Sequence, residues 1–417
     1  MGNQSKKCLS CGSDLGESFV DVGCQYPSAV YPENIDAMRD LKSSTLDLGI
    51  CSNSDCSLVQ LMEISDLGDV FERYPYESNS TATMKGILKD VVDESSMVAK
   101  IDNQSTILDI GGNDGTMLGL FNEAKNLVNI DAAGGLNSTL DKPNYHKIVG
   151  LYSKELYGSL NLPKPDLITA VAMFYHLNDP VAFCKEVVDV MKEDSIFCVQ
   201  MTYLGSMYEN NIYDNIVHEH RAYYSLHSLK KVFEQVGLHI YGAKIVQSYG
   251  GSIRVYAGLN PHREILPELR ESMAEIIRKE KETKMNLSEA LVRFNDRLQL
   301  LKKDTRNLID HIVEREGPMV AFGASTKGNM ICQFLGLTKE HISCVYDNSP
   351  KKIGSFLVGS NIPILDEKES ENNLPKYILI LPYYYLDFFK GLITKISKGD
   401  KHYIISPLPN PNVVSIN

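Results

Sequence analysis

Apolar residues along this chain fall into short runs separated by amphipathic stretches, and the alternation occurs in two series. The first opens with an apolar strand at residues 107–110, a glycine-rich turn, and a helix starting near Thr116. The run LVNID then ends at Asp131, and residues 167–173 form a further apolar strand. A helical pattern over residues 180–191 and a strand in SIFCVQMTYL follow, then an amphipathic helix from near Ser225 and a strand in YGGSIRVYAG. Residues 263–316 are charged, with apolar positions recurring at three and four, which predicts helices with a solvated face. The second series begins with a strand at 319–324, leads through STKGNM into a helix, and reaches a strand ending at Asp347. Strands alternating with helices predict an α/β chain of parallel, doubly wound sheets, with ligands at the carboxyl ends of the strands.

A length of 417 residues fits two large units and a smaller one. The 43% hydrophobic and 23% charged content is globular, and no apolar run is long enough to span a bilayer. The N-terminal residues MGNQSKKCLSCG lack the apolar core of a secretion signal, so a cytoplasmic protein is expected. A net charge of −11 argues against a general nucleic-acid binder.

Nine cysteines are too few and too clustered for a disulfide framework. Cys8 and Cys11 form a C-x2-C knuckle, and Cys51 and Cys56 a C-x4-C one. Four thiolates close a tetrahedral zinc sphere without leaving a water site, so a structural metal is expected rather than a catalytic one. Unrelated surface cysteines are the competing reading, and the isolated Cys24 reads as a buried thiol.

The turn after residue 110 reads D-x-G-x-x-x-G from Asp109. Gly111, Gly112 and Gly115, with Asn113 between them, let the backbone approach a ligand, and the following helix N-terminus offers unpaired N–H groups. Asp131 is placed to accept from ribose hydroxyls, and Asp109 to meet an ammonium. Dinucleotide dehydrogenases and methyltransferases share such turns, although the spacing here is looser than G-x-G-x-x-G. His176 and Gln200 lie near strand ends of the same sheet.

His218, Glu219 and His220 stand consecutively before the Ser225 helix. Either histidine could take a proton from a carbon acid, with Glu219 orienting its neighbour; a polar loop is the bland alternative. H-E-H is not the H-E-x-x-H of a zinc protease. Arg254, on the strand after two glycines, reads as an anion contact, and Tyr74 and Tyr76 either join the site or pack on the sheet. In the second series Gly323, Ser325, Lys327 and Gly328, with Asp347 after them, suggest a further anion cradle that lacks the Walker spacing.

Taken in order, the paired cysteines, Y-x-Y at Tyr74 and Tyr76, the D-x-G-x-x-x-G turn, His176, H-E-H, G-G-S-x-R from Gly250 and F-G-A-x-x-K-G-N from Phe322 resemble the nucleotide-sugar C-methyltransferases, typified by thymidine-diphosphate keto-sugar C-3 methyltransferases. The resemblance implies a zinc-binding domain (1–75), a Rossmann-like S-adenosylmethionine domain (76–262) and a helical connector with a second Rossmann-like domain (263–417). It also implies a nucleotide-linked keto-sugar held between the last two. His220 is then the base, Glu219 its helper, and His176 and Tyr76 polar partners, while Tyr74, His218, Arg254, Ser325, Lys327, Gly328, Asn329 and Asp347 face the sugar or its nucleotide. Three departures stand out: Val217 occupies a position commonly Tyr, so any phenol role is missing or falls to Tyr213, Tyr223 or Tyr224; the second knuckle is two residues wider than usual; and Tyr383–Tyr385 stand where Trp is frequent. Transfer to oxygen or nitrogen, or a non-catalytic zinc protein with a nucleotide-sized pocket, are the competing readings.

Overall fold

The computed structural model describes residues 6–64, 77–80, 82–134, 140–248, 250–372, 374–397 and 399–416. Tyr74 and Tyr76 lie outside the described residues. The chain opens with an antiparallel sheet of β1 (Leu15–Gln25), β2 (Ser44–Cys51) and β3 (Val59–Leu61). Then follow α1 (Ala82–Ala99), β4 (Thr106–Ile110), α2 (Thr116–Gly119), β5 (Asn126–Asp131), β6 (Tyr145–Val149), α3 (Lys154–Gly158), β7 (Leu167–Val171), α4 (Pro180–Val190), β8 (Ile196–Thr202) and α5 (Leu204–Asn210). The unit closes with β9 (Ala222–Tyr223), α6 (Leu226–Glu234), β10 (His239–Val246) and β11 (Ser252–Gly258).

Seven of these strands form one sheet in the order β10-β11-β8-β7-β4-β5-β6, with β4 to β8 parallel and β10 and β11 antiparallel. The chain leaves β4 toward β5 and β6, then returns to build β7 and β8 on its other side. That reversal opens a crevice beyond the carboxyl ends of β4 and β7, where the glycine turn sits.

The second α/β unit is reached through α7 (Pro267–Thr283) and α8 (Ser288–Glu316). It comprises β12 (Met319–Phe322), α9 (Thr326–Leu335), β13 (Ile342–Asp347), β14 (Phe356–Leu357), β15 (Ile362–Asp366), β16 (Tyr377–Ile380), α10 (Leu386–Ile396), β17 (His402–Ser406) and β18 (Asn412–Ile416). Its sheet order, β14-β15-β13-β12-β16-β17-β18, reverses at β12 as the first reverses at β4.

The three units are stitched together more tightly than a division at 75 and 263 expresses. β9 pairs with β3, so the N-terminal sheet takes its fourth strand from the chain just after His220. α7 packs on β10, and Leu269 lies against Gly242, which has no room for a Cβ. α8 keeps its charges in solvent, as its pattern predicts, but its opposite stripe buries Leu291, Phe294 and Leu298 in a core shared by the N-terminal and C-terminal sheets. The loop after β1 reaches the last unit as well: Asn329 Nδ2 donates to Ser28 O (3.1 Å), and Phe356 N to Pro32 O (2.9 Å).

Glu280 of α7 is buried against the N-terminus of α6, where its carboxylate accepts from Leu226 N (2.5 Å), His227 N (3.0 Å) and Tyr203 Oη (2.8 Å). Glu280→Ala strands all three donors. It is expected to cost roughly 2–4 kcal/mol in urea unfolding, whereas Glu280→Gln, which keeps an acceptor, costs less.

Candidate active site

The cysteines of the N-terminal unit come from two turns. Cys8 and Cys11 precede β1, Cys51 ends β2, and Cys56 lies in the turn to β3. All four sulfurs lie within 4.8 Å of one another, with Cys8–Cys56 at 3.7 Å and Cys11–Cys51 at 3.4 Å. Zn–S bonds of about 2.3 Å in a tetrahedron separate sulfurs by about 3.8 Å, so the cluster fits that ion. Cys24, expected to be buried, is exposed, with its thiol toward Ser43 (3.1 Å).

In the crevice of the first unit, Gly111 and Gly115 adopt φ of +72° and +83°, a region that L side chains rarely occupy. Gly112 is required for a different reason: a Cβ there stands 2.6 Å from both Asp109 Oδ2 and Asn129 Oδ1. The turn thus lies directly on buried polar side chains. Asp109 Oδ1 accepts from Thr169 Oγ1 (2.7 Å), and burial pushes its carboxyl up to about 7. At the end of β5, Asp131 accepts from Asn113 N (2.8 Å) and Ala133 N (2.7 Å). The helix expected after the turn is a single turn of four residues, too short to act as an anion-binding helix end; the pattern overstated it because Leu120 and Phe121 continue the apolar run as a bend. A cleft lies beside the turn. Asp109, Gly111, Gly112 and Asn113 line one side of it, and Ala172, Tyr175 and Gln200 the other.

Tyr175 joins this cleft to the histidines. Its ring centroid is 4.0 Å from that of His220 and 4.5 Å from that of His176, and the two imidazoles are 5.2 Å apart. Each imidazole is pinned through Nδ1 to a main-chain carbonyl, His220 to Asn215 O (2.9 Å) and His176 to Glu219 O (2.7 Å). A carbonyl only accepts, so in His220 Nδ1 carries the hydrogen and Nε2 the lone pair, whereas the His176 ring also bonds to the Ala172 backbone. Burial lowers both pKa values, that of His176 to about 4 and that of His220 well below the usual imidazole value, so both are neutral at pH 7.

Other parts of the H-E-H segment behave differently from expectation. Glu219 serves the pair through its carbonyl; its carboxyl is buried, burial raises its pKa, and Oε2 has no hydrogen-bond partner. His218 is buried beside the Gln25 backbone of β1, and among the described residues it makes no ring contact with the other two histidines. The phenol expected near Val217 is not supplied by Tyr213, which stacks on Phe334 at 4.2 Å, nor by Tyr224, packed on Phe174 at 5.3 Å. The Tyr223 hydroxyl shares the Asn215 carbonyl with His220, at 3.4 Å. Tyr175, one aromatic residue within the apolar string MFYHL, was not singled out by sequence reasoning, and its adjacency to His176 was the available signal.

Arg254, expected to meet a ligand anion, is a strut instead. Its side chain is 1% exposed and donates to Gln200 Oε1 (2.7 Å), Asp90 Oδ2 (2.6 Å) and Glu94 Oε1 (3.2 Å). A buried guanidinium requires such carboxylates, and α1 provides them. From the second α/β unit, Lys327 in the first turn of α9 stands near enough for its charge to be felt by His220. Ser325 caps α9 by accepting from Gly328 N (3.0 Å), Gly328 lies against Leu381, and Asn329 is fully buried on Ser28. Asp347 holds its own turn, accepting from Ala324 N and Ser349 N at 2.8 Å. Of this expected cradle, Lys327 is therefore the residue whose charge is felt at His220.

Comparison with known proteins fits this arrangement. Residues 81–241 match a methyltransferase-domain family, and residues 247–409 match the C-methyltransferase C-terminal domain. The C-methyltransferase NovU of Streptomyces niveus is 26% identical over 412 residues, covering 98% of this chain and 97% of that one. Among solved structures, the plantazolicin methyltransferase BamL overlaps 44% of this chain and 88% of its own at 14% identity and a TM-score of 0.34. An S-adenosylmethionine-dependent methyltransferase of Leishmania major overlaps 43% and 78%, at 14% identity and 0.32. Those two scores add nothing to the case, which rests on the two successive domain matches and the full-length likeness. With a cleft beside its glycine turn, its histidine pair and both modules in order, the chain is similar over its whole length to an S-adenosylmethionine-dependent C-methyltransferase.

Proposed function

We propose that the acceptor is a nucleotide-linked 4-keto-deoxysugar methylated at C-3, and that His220 is the base. The observation that carries this reading is His220 itself: neutral, tied down through Nδ1 so that Nε2 holds the lone pair, and one aromatic ring away from the cofactor cleft. An unactivated carbon is a poor nucleophile, so C-methylation needs a carbon acid, and a C-4 ketone acidifies the C-3 proton. Bound S-adenosylmethionine supplies an electrophilic methyl group. His220 takes the C-3 proton, Tyr175 separates the base from the cofactor cleft, and His176 keeps the imidazole pair in register. The motif resemblance supports the sugar and its nucleotide. Incubation of nucleotide keto-sugars in D2O with S-adenosylhomocysteine tests the base, through deuterium at C-3. Carbon NMR of the methylated product separates transfer to carbon from transfer to oxygen or nitrogen.

Zinc is assigned to Cys8, Cys11, Cys51 and Cys56, where it would tie the two knuckles together and play no part in the chemistry. Asp109 is assigned to the cofactor ammonium. Burial raises this carboxyl, so the empty site favours the protonated form below about pH 7, while an ammonium favours the ionised form. Affinity for S-adenosylhomocysteine should therefore fall by about tenfold per pH unit below 7 and level off above it. Calorimetry across pH reads this slope, and Asp109→Asn should flatten it.

A further inference from the structure

The base accounts for one half of the deprotonation. As C-3 loses its proton to His220, the C–H electron pair becomes the C-3–C-4 π bond and the carbonyl pair moves onto the C-4 oxygen. That oxygen needs a positive partner in a buried site, and both imidazoles are neutral.

The surroundings of His220 contain a second group of side chains that the scheme so far leaves unused. Asp214, six residues earlier in the same segment, is buried; Tyr383 Oη donates to its Oδ1 (3.4 Å), and its Oδ2 has no hydrogen-bond partner. Lys327 stands with its Nζ 5.4 Å from the centroid of the Tyr384 ring, and Asp214 and Lys327 feel each other's charge. Tyr383 and Tyr384 belong to one short turn at the end of β16, and a Cβ on Gly250 would lie 3.2 Å from Tyr383 Oη. Residues from the H-E-H segment, the glycine pair before β11 and the C-terminal unit therefore converge around one ammonium.

We infer that Lys327 is the electrophile that holds the C-4 oxygen while the enolate forms, and that Asp214, steadied by Tyr383, is the positioning residue that holds the ammonium there; this rests on the reading proposed above. A grip on the sugar's pyrophosphate is the rival role for this lysine. The buried Asp214, whose charge Lys327 feels, disfavours a phosphate dianion beside it, whereas the ammonium can still donate to a single developing oxyanion. The charge of Arg221 is felt by His176, and that of Lys327 by His220. After proton transfer the enolate π pair forms the new C–C bond to the methyl group, the sulfur keeps the S–C pair, and the proton leaves His220 for solvent.

The test uses the full-length protein with S-adenosylhomocysteine, thymidine-diphosphate-4-keto-6-deoxyglucose and D2O, and reads deuterium at C-3 by NMR. At saturating sugar, Lys327→Met should lower the exchange rate by about 10²–10³-fold, the loss typical of one oxyanion donor. Its affinities for thymidine diphosphate and S-adenosylhomocysteine should be unchanged, Lys327→Arg should recover part of the rate, and Asp214→Asn should lower the rate without raising KM. Exchange by Lys327→Met that returns to the wild-type rate at saturation, together with weakened thymidine diphosphate binding, overturns the inference in favour of a phosphate grip. If Lys327→Met no longer binds S-adenosylhomocysteine, Lys327→Arg and Asp214→Asn decide the matter, and wild-type rates in both overturn it. A wild-type protein that exchanges no keto-sugar proton overturns the functional reading, and this inference with it.

Discussion

His220→Ala is expected to lower methyl transfer by roughly 10²–10⁴-fold, the usual contribution of a positioned general base, while cofactor affinity stays at the wild-type level. The separation of effects follows from the geometry. His220 hangs from Asn215 O, and the cofactor turn is built on Asp109 and Asn129, so removing the imidazole leaves the cradle intact. His176→Ala should fall less, because that ring supports the base without being it. Stopped assays of methyl transfer, with calorimetry of S-adenosylhomocysteine, read the two quantities independently. Near-normal turnover in His220→Ala would refute the assignment of the base.

The second large effect concerns the cysteines. Cys56→Ser, or exhaustive chelation, is expected to release about one equivalent of zinc and to abolish activity together with the N-terminal fold, since structural zinc contributes on the order of 10 kcal/mol in small domains. The loss of activity has a specific route. Cys51 and Cys56 bracket the turn between β2 and β3, β3 pairs with β9, and β9 begins two residues after His220. Loosening the knuckles therefore frees the segment that holds the base. Metal analysis and circular dichroism, followed by re-addition of zinc, check this; full activity in metal-free protein would count against it.

Much of this architecture was legible in the chain because its signals are local. The apolar run before Gly111 and the spacing to Asp131 place a cofactor turn without tertiary information, and Ser225 announces its helix through its own side chain. What was not legible depends on distant partners. Arg254 looks like an anion receptor until Asp90 and Glu94 are seen across α1, far away in sequence. His218 and His220 are near neighbours in a string of polar residues, and only the packing of β1 turns one toward the N-terminal sheet while the other joins Tyr175. Asn329 and Asp347 resemble ligand contacts, but Asn329 Nδ2 is bound to the loop after β1 and Asp347 to its own turn. The boundary at 263 misses α7, whose Glu280 completes α6, because a charged helix gives no sign of which sheet it will cover.

The pairing of β3 with β9 also orders events during synthesis. Residues 59–61 leave the ribosome long before residues 222–223, so the N-terminal sheet waits with its outer edge open while the first half of the cofactor unit is made. An open strand edge invites pairing with other chains, and two knuckles already closed by metal would limit how far that exposed sheet can unravel. With zinc as the ion assigned to the knuckles, metal supply during translation is then expected to limit the yield of active protein more than metal supply to the finished enzyme.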